Sequence, residues 1–203
     1  MKIFFPHNDL IESTPRSYLP EWVKPLFPEP RHILYGLNPQ DLEYCKEQSD
    51  ADAFVLPYTW NYYSEEGKVQ DAMALIKEYQ YWNKPIYTWA GGDFTLRIPE
   101  GDFILFRHSG YQTMRRKNEY AYPVIIRDPL EYLGLPGISI FPKEQKPKIG
   151  FCGLAERNWL DGSWRAGKTS MLKLVNSISK QYLDLSNPIS GTRLRRRVLR
   201  ILS

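Results

Sequence analysis

An α/β fold built on a mostly parallel sheet is what this 203-residue chain predicts, from two observations. Short apolar runs alternate with polar connections up to about residue 147. A helix-period segment lies between two of those runs. That strand–helix–strand order implies a parallel pair joined by a right-handed crossover. Three layers, with helices on the faces of the sheet, are the economical way to bury it.

The elements follow in order. Lys2 to Phe5 reads as a strand ending at Pro6-His7-Asn8-Asp9. Prolines at 15, 20, 25, 28 and 30 forbid a long helix in the next stretch. Ile33 to Tyr35 is a candidate short strand, and Ala53-Phe54-Val55-Leu56, closed by Pro57, a buried one. From Gly67 to Asn83 a helix is expected, because Val69, Ala72, Met73, Ile76 and Tyr79 share one face. Pro85 to Trp89, Asp102 to Arg107 and Pro123 to Ile126 read as further strands. The polar break Lys143-Glu-Gln-Lys-Pro147 precedes another strand, Lys148 to Cys152, and so marks a domain boundary. A helix around Ser170 to Lys180 and a basic helix from about Thr192 complete the chain.

Hydrophobic residues make up 42% and charged residues 25%, which excludes bulk disorder. No run approaches the roughly 18 apolar residues of a membrane-crossing helix, and the N-terminus lacks the apolar core of a signal peptide. Cys45 and Cys152 are too few for a disulfide framework or a cysteine zinc site, so a cytoplasmic setting is the default. The net charge of +4 is uneven. Residues 165–203 hold nine Lys/Arg and one Asp, a net of +8, which leaves −4 on the other 164 residues.

Open α/β sheets bind ligands beyond the carboxyl ends of their strands. The residues just after each predicted strand are therefore the candidate site. They are His7, Asn8 and Asp9; Tyr58, Thr59 and Trp60; Gly91, Gly92 and Asp93; Arg107, His108 and Ser109; Arg127 and Asp128. Aromatic rings suit the apolar C–H patches of a polyhydroxylated ligand, and charged groups bond its hydroxyls or phosphates. Each residue has a plain alternative as core, turn or hydrogen-bonded loop residue.

Three further motifs call for a reading. Asp50-Ala51-Asp52 has the spacing of a metal-holding carboxylate pair, but it precedes its strand and reads as a turn leading into it. Gly162-Ser-Trp-Arg-Ala-Gly167-Lys168-Thr169 is a complete phosphate-loop string and keeps a nucleotide-binding reading open. No buried strand runs directly into Gly162, as that mechanism requires. Arg193 to Arg200 combines arginines with leucines at near-helical spacing. Such a run is usually a solvated or phosphate-facing helix. Nucleic-acid or membrane-surface contact is the alternative.

Four further segments stand out in order: Ser49-Asp-Ala-Asp-Ala-Phe-Val-Leu-Pro-Tyr58, Trp89-Ala-Gly-Gly-Asp-Phe94, Pro123-Val-Ile-Ile-Arg-Asp-Pro129, and Lys146-Pro-Lys-Ile-Gly-Phe-Cys-Gly153 with the arginine-rich helix after it. Taken in that order they resemble the exostosin-type glycosyltransferases. The resemblance implies a Rossmann-like three-layer acceptor-side domain over 1–145 and the opening of a second, donor-side domain over 146–203, whose later strands would lie beyond this sequence. It implies transfer of a sugar from a nucleotide-sugar co-substrate to a glycan acceptor hydroxyl. No permanently bound cofactor and no metal are expected. Gly150, Gly153, Arg165 and Lys168 would lie toward the diphosphate. Tyr58, Trp60, Trp89, Gly91, Gly92, Arg107 and His108 would face the acceptor, with His7 or Asp93 as the base. A non-catalytic glycan-binding module is the principal rival. The expected partners include no nucleic acid; peripheral membrane contact is compatible with the chain.

Overall fold

The computed structural model of the chain describes residues 1–6, 15–26, 39–92, 95–108, 110, 112–123, 128–138, 142, 159–183 and 191–202. Among these residues six strands form one all-parallel sheet: β1 (Lys2–Phe4), β2 (Glu43–Tyr44), β3 (Ala53–Val55), β4 (Ile86–Ala90), β5 (Ile104–Arg107) and β6 (Glu119–Ala121). Their order is β2-β1-β3-β4-β5-β6. This is the α/β, Rossmann-like architecture expected from the alternating pattern.

Parallel pairing holds the side chains in two rows. Phe4, Phe54 and Ile86 align on one face, followed across the sheet by Thr88, Leu105 and Glu119. Trp89, Phe106 and Tyr120 align on the other. Helix α1 (Trp60–Glu65) and helix α2 (Val69–Gln80) make the crossover from β3 to β4. Ala72, Ile76 and Tyr79 are the buried positions of α2, at helical spacing. Tyr79 stacks on Phe54 at 4.5 Å and meets the edge of Phe4, so α2 covers the first face. The second face is covered in part by the proline-rich segment, where Trp22 packs on Tyr87 (4.9 Å) and Trp89 (5.2 Å). Among its described residues that segment holds only short 3₁₀ turns, in keeping with its prolines.

Two strands lie where no apolar run marks them. β2 is two residues long and pairs with β1 at the sheet edge. β6 reads Glu-Tyr-Ala, and its Glu119 is buried rather than solvated. Backbone pairing, not apolar content, makes both. The predicted strands at 33–35 and 148–152 lie outside the described residues, as does the one at 123–126 apart from Pro123. Asp128, read as a ligand-facing residue, instead caps helix α3 (Pro129–Tyr132), its Oδ1 accepting from the Leu130 amide at 2.8 Å.

The predicted turn at Asp50-Ala51-Asp52 is present. A 3₁₀ turn ends at Asp50, and Asp52 accepts the Lys2 amide at 2.7 Å, which ties the start of β3 to β1. Among the described residues no cluster of His, Cys, Asp or Glu is arranged to hold a metal ion. No helix among them is long and apolar enough to cross a membrane.

Helix α4 (Trp159–Ser179) begins well before the position expected for it, and helix α5 (Gly191–Leu202) matches the predicted basic helix. Beyond α4 the chain returns to the first part of the fold. The Arg97 amide donates to the Gln181 carbonyl at 2.7 Å, the Leu183 amide to the Thr95 carbonyl at 2.8 Å, and Gln181 Nε2 to Ser64 Oγ at 2.9 Å.

Candidate functional site

The strand order reverses between β1 and β3, where doubly wound sheets open a crevice at their carboxyl edge. Here residues 15–26 pass over that edge. The Thr59 amide donates to the Tyr18 carbonyl at 2.7 Å, and Tyr18 packs on Tyr62. Tyr58 is buried beside this crossing, against Tyr62 at 4.2 Å, and Trp60 is buried against Phe103 at 5.5 Å. Both were expected at the ligand; both are packing residues here.

Arg107 is corrected in the same way. As the last residue of β5 it points to the α2 side and is buried. Its Nε and Nη2 donate to the two Glu119 carboxylate oxygens, each at 3.2 Å, and its Nη1 to the Leu96 carbonyl at 2.8 Å. All three nitrogens are engaged inside the fold. Arg116 joins them, bonding the Ile98 and Pro99 carbonyls and lying 3.5 Å from Glu119.

The open part of the carboxyl edge lies beyond β4, β5 and β6. Asn61, at the start of α1, grips the Gly91 peptide from both sides, accepting from its amide at 2.8 Å and donating to its carbonyl at 3.2 Å. Gly92 has φ +90°, a conformation that L side chains rarely adopt, so the turn requires a glycine at that position. A Cβ on Gly91 would stand 3.8 Å from His108 Nδ1, which puts the imidazole alongside this turn. His108 continues the β4–β5 pairing through its amide, 3.2 Å from the Ala90 carbonyl, and its ring lies flat on Tyr122, 5.3 Å away at 17°. Phe106 and Tyr120 extend the aromatic surface, and Tyr120 is half open to solvent. Trp89 is buried between Trp22 and Phe106, with no hydrogen-bond partner for its Nε1 among the described residues.

Behind this surface sits an ion pair not anticipated from the sequence. Glu21 is buried and pairs with Lys24 one turn on. Its negative charge reaches both His108 and Tyr122. Desolvation holds the His108 pKa below the ordinary histidine value; Glu21 opposes this and Lys24 adds to it. Burial, and secondarily Glu21, raises the Tyr122 phenol. The arrangement therefore offers a neutral imidazole, a turn with an accessible backbone and an aromatic surface at one edge. Such a set can take a hydroxyl proton and cover the C–H face of a ring.

The lowered pKa carries a stability consequence. Below about pH 6.5, the ordinary histidine value, the unfolded imidazole takes up a proton that the folded one resists. Stability is expected to fall as pH drops through that value and to level off below the folded pKa. Urea titrations from pH 8 to 5 would measure this, and His108→Gln should remove its share of the slope.

His7 and Asp93, the expected bases, lie outside the described residues, as do Gly150 and Gly153. The phosphate-loop reading is overturned. Gly162 to Thr169 lies inside the continuous α4, so its amides bond preceding carbonyls instead of wrapping a phosphate. Arg165 is within that helix, and Lys168 is exposed well inside it rather than at its N-terminus. A separate depression of about 370 Å³, lined by Asn83, Asp102 and Asn118 among others, opens at the amino ends of β4 and β5, the opposite edge of the sheet. Comparison with protein families, with curated proteins and with solved structures finds no match to this chain.

Proposed function

We propose that this chain carries the acceptor-binding half of an exostosin-like glycosyltransferase, in which a sugar moves from a nucleotide-sugar to a glycan hydroxyl. One observation carries the reading: His108, stacked on Tyr122 beside the Asn61-held Gly91, stands at the carboxyl edge of a parallel sheet next to the half-open Tyr120. The aromatic side chains suit the C–H face of a sugar ring, and the neutral imidazole suits a hydroxyl about to act as a nucleophile. In this reading His108 takes the base role first expected of His7 or Asp93. The four resembling segments add the reaction class, with the nucleotide-sugar as co-substrate.

Calorimetric titration with a panel of oligosaccharides tests the acceptor half. One or more should bind, and Tyr120→Ala should weaken that binding about tenfold, roughly 1.4 kcal/mol. Loss of Tyr120 without effect on any bound glycan would remove this surface from recognition. A radiolabelled transfer assay with UDP- and GDP-sugars separates the two glycan readings. Labelled product supports the transferase, whereas glycan binding without transfer supports a binding module.

A further inference from the structure

Near its C-terminal end helix α4 bonds the segment that follows it through its polar side. Asn176 Nδ2 donates to the Tyr182 carbonyl at 3.0 Å and its Oδ1 accepts the Tyr182 amide at 2.7 Å. Thr169, Lys173 and Asn176, which share that side, are partly covered. The opposite side carries Trp164, Met171, Leu174, Val175 and Ile178 in a single stripe at helical spacing, and all five are exposed. Trp164 is 79% and Ile178 82% exposed. Helix α5 repeats the theme in a more basic form. Arg195, Arg196, Arg197 and Arg200 stand with exposed Val198 and Ile201, and the helix holds no acidic residue.

A contiguous apolar stripe of this size normally meets a partner. Charge identifies the partner. Residues 165–203 carry +8, so a second copy of the chain would set like charge against like. Nucleic acid would neutralise the arginines but leave Trp164, Met171 and Ile178 in water. An anionic bilayer answers both features, because its phosphates meet the arginines while its headgroup–acyl boundary accepts the apolar side chains. Neither helix is long and apolar enough to cross a membrane, which leaves them lying along its surface. We propose that α4 and α5 form a docking surface for an anionic lipid bilayer. The proposal does not depend on the acceptor reading, since it uses none of the carboxyl-edge residues.

Cosedimentation of the full chain with vesicles of phosphatidylcholine alone, or of phosphatidylcholine with phosphatidylglycerol, tests it. Binding should require the anionic lipid and weaken with salt. Arg196→Gln and Arg197→Gln should each lower the partition coefficient roughly fivefold. Tryptophan emission should shift to the blue on binding, and Trp164→Phe should remove that shift while leaving most of the binding. Ile201→Asp, at a 76% exposed position, should also weaken partitioning without unfolding the protein. Equal binding to neutral vesicles, or none to either, would overturn the proposal. So would tighter binding to duplex DNA than to anionic vesicles. Concentration-dependent dimerisation abolished by Ile178→Asp would assign the stripe to a second copy instead.

Discussion

Replacing Glu119 by alanine is expected to lower the stability of the fold by about 3–5 kcal/mol. Glu119 sits on the edge strand β6, yet its side chain is buried on the α2 side of the sheet. Both of its oxygens are engaged by Arg107, and Arg116 stands 3.5 Å from one of them. Removing the carboxylate leaves the Arg107 guanidinium buried without a counter-charge, with only the Leu96 carbonyl as a remaining partner for Nη1. Against the 5–15 kcal/mol typical of a domain, this is a large fraction. Urea unfolding followed by tryptophan fluorescence measures it. The double variant Arg107→Leu/Glu119→Leu should lie closer to the parent than Glu119→Ala does, because it removes both charges together. A loss under 1 kcal/mol in the single variant would mean that water reaches the pair.

The second large effect follows from the proposed reaction. His108→Gln should reduce sugar transfer by about 10²–10⁴-fold while changing acceptor affinity little, since glutamine keeps the hydrogen-bonding edge but cannot take the proton. The pH profile gives the sharper reading. Only neutral imidazole is a base, and burial holds its pKa below the usual value. The rate should therefore persist into mildly acidic solution before it falls, and the acidic limb should vanish in the variant. If His108 merely packs on Tyr122, the variant would lower stability or acceptor affinity and leave the pH profile in place.

Much of the fold was legible because its central strands are apolar runs. β1, β3, β4 and β5 are buried between layers and must carry such residues. Helix α2 was legible for a related reason: one face is buried, so its buried side chains recur at helical spacing. Edge strands escape this logic. Among the described residues β2 and β6 each pair on one side only, and backbone hydrogen bonds suffice to hold two or three residues there. Helix α4 starts well before the expected position, its Gly162 and Gly167 being carried by the surrounding helix formers.

The site divides along the same line. His108, Gly91 and Gly92 could be found by reading past the ends of strands, since a parallel sheet turns its carboxyl edge toward ligands. Arg107 stands one residue before His108 and has the opposite fate. Alternation along β5 turns it inward, and a buried Glu119 on a strand with no apolar signature was waiting for it. Glu21 and Lys24 belong to a proline-rich stretch with no periodic signal, and their partners His108 and Tyr122 lie some 85 to 100 residues further on. Local pattern thus specified the parallel core and the edge on which to look for a site, because burial and backbone period act over a few residues. Which side chains meet at that edge followed from the crossing of residues 15–26 over the sheet. Contacts between distant segments depend on how the whole chain packs, and no local pattern encodes them.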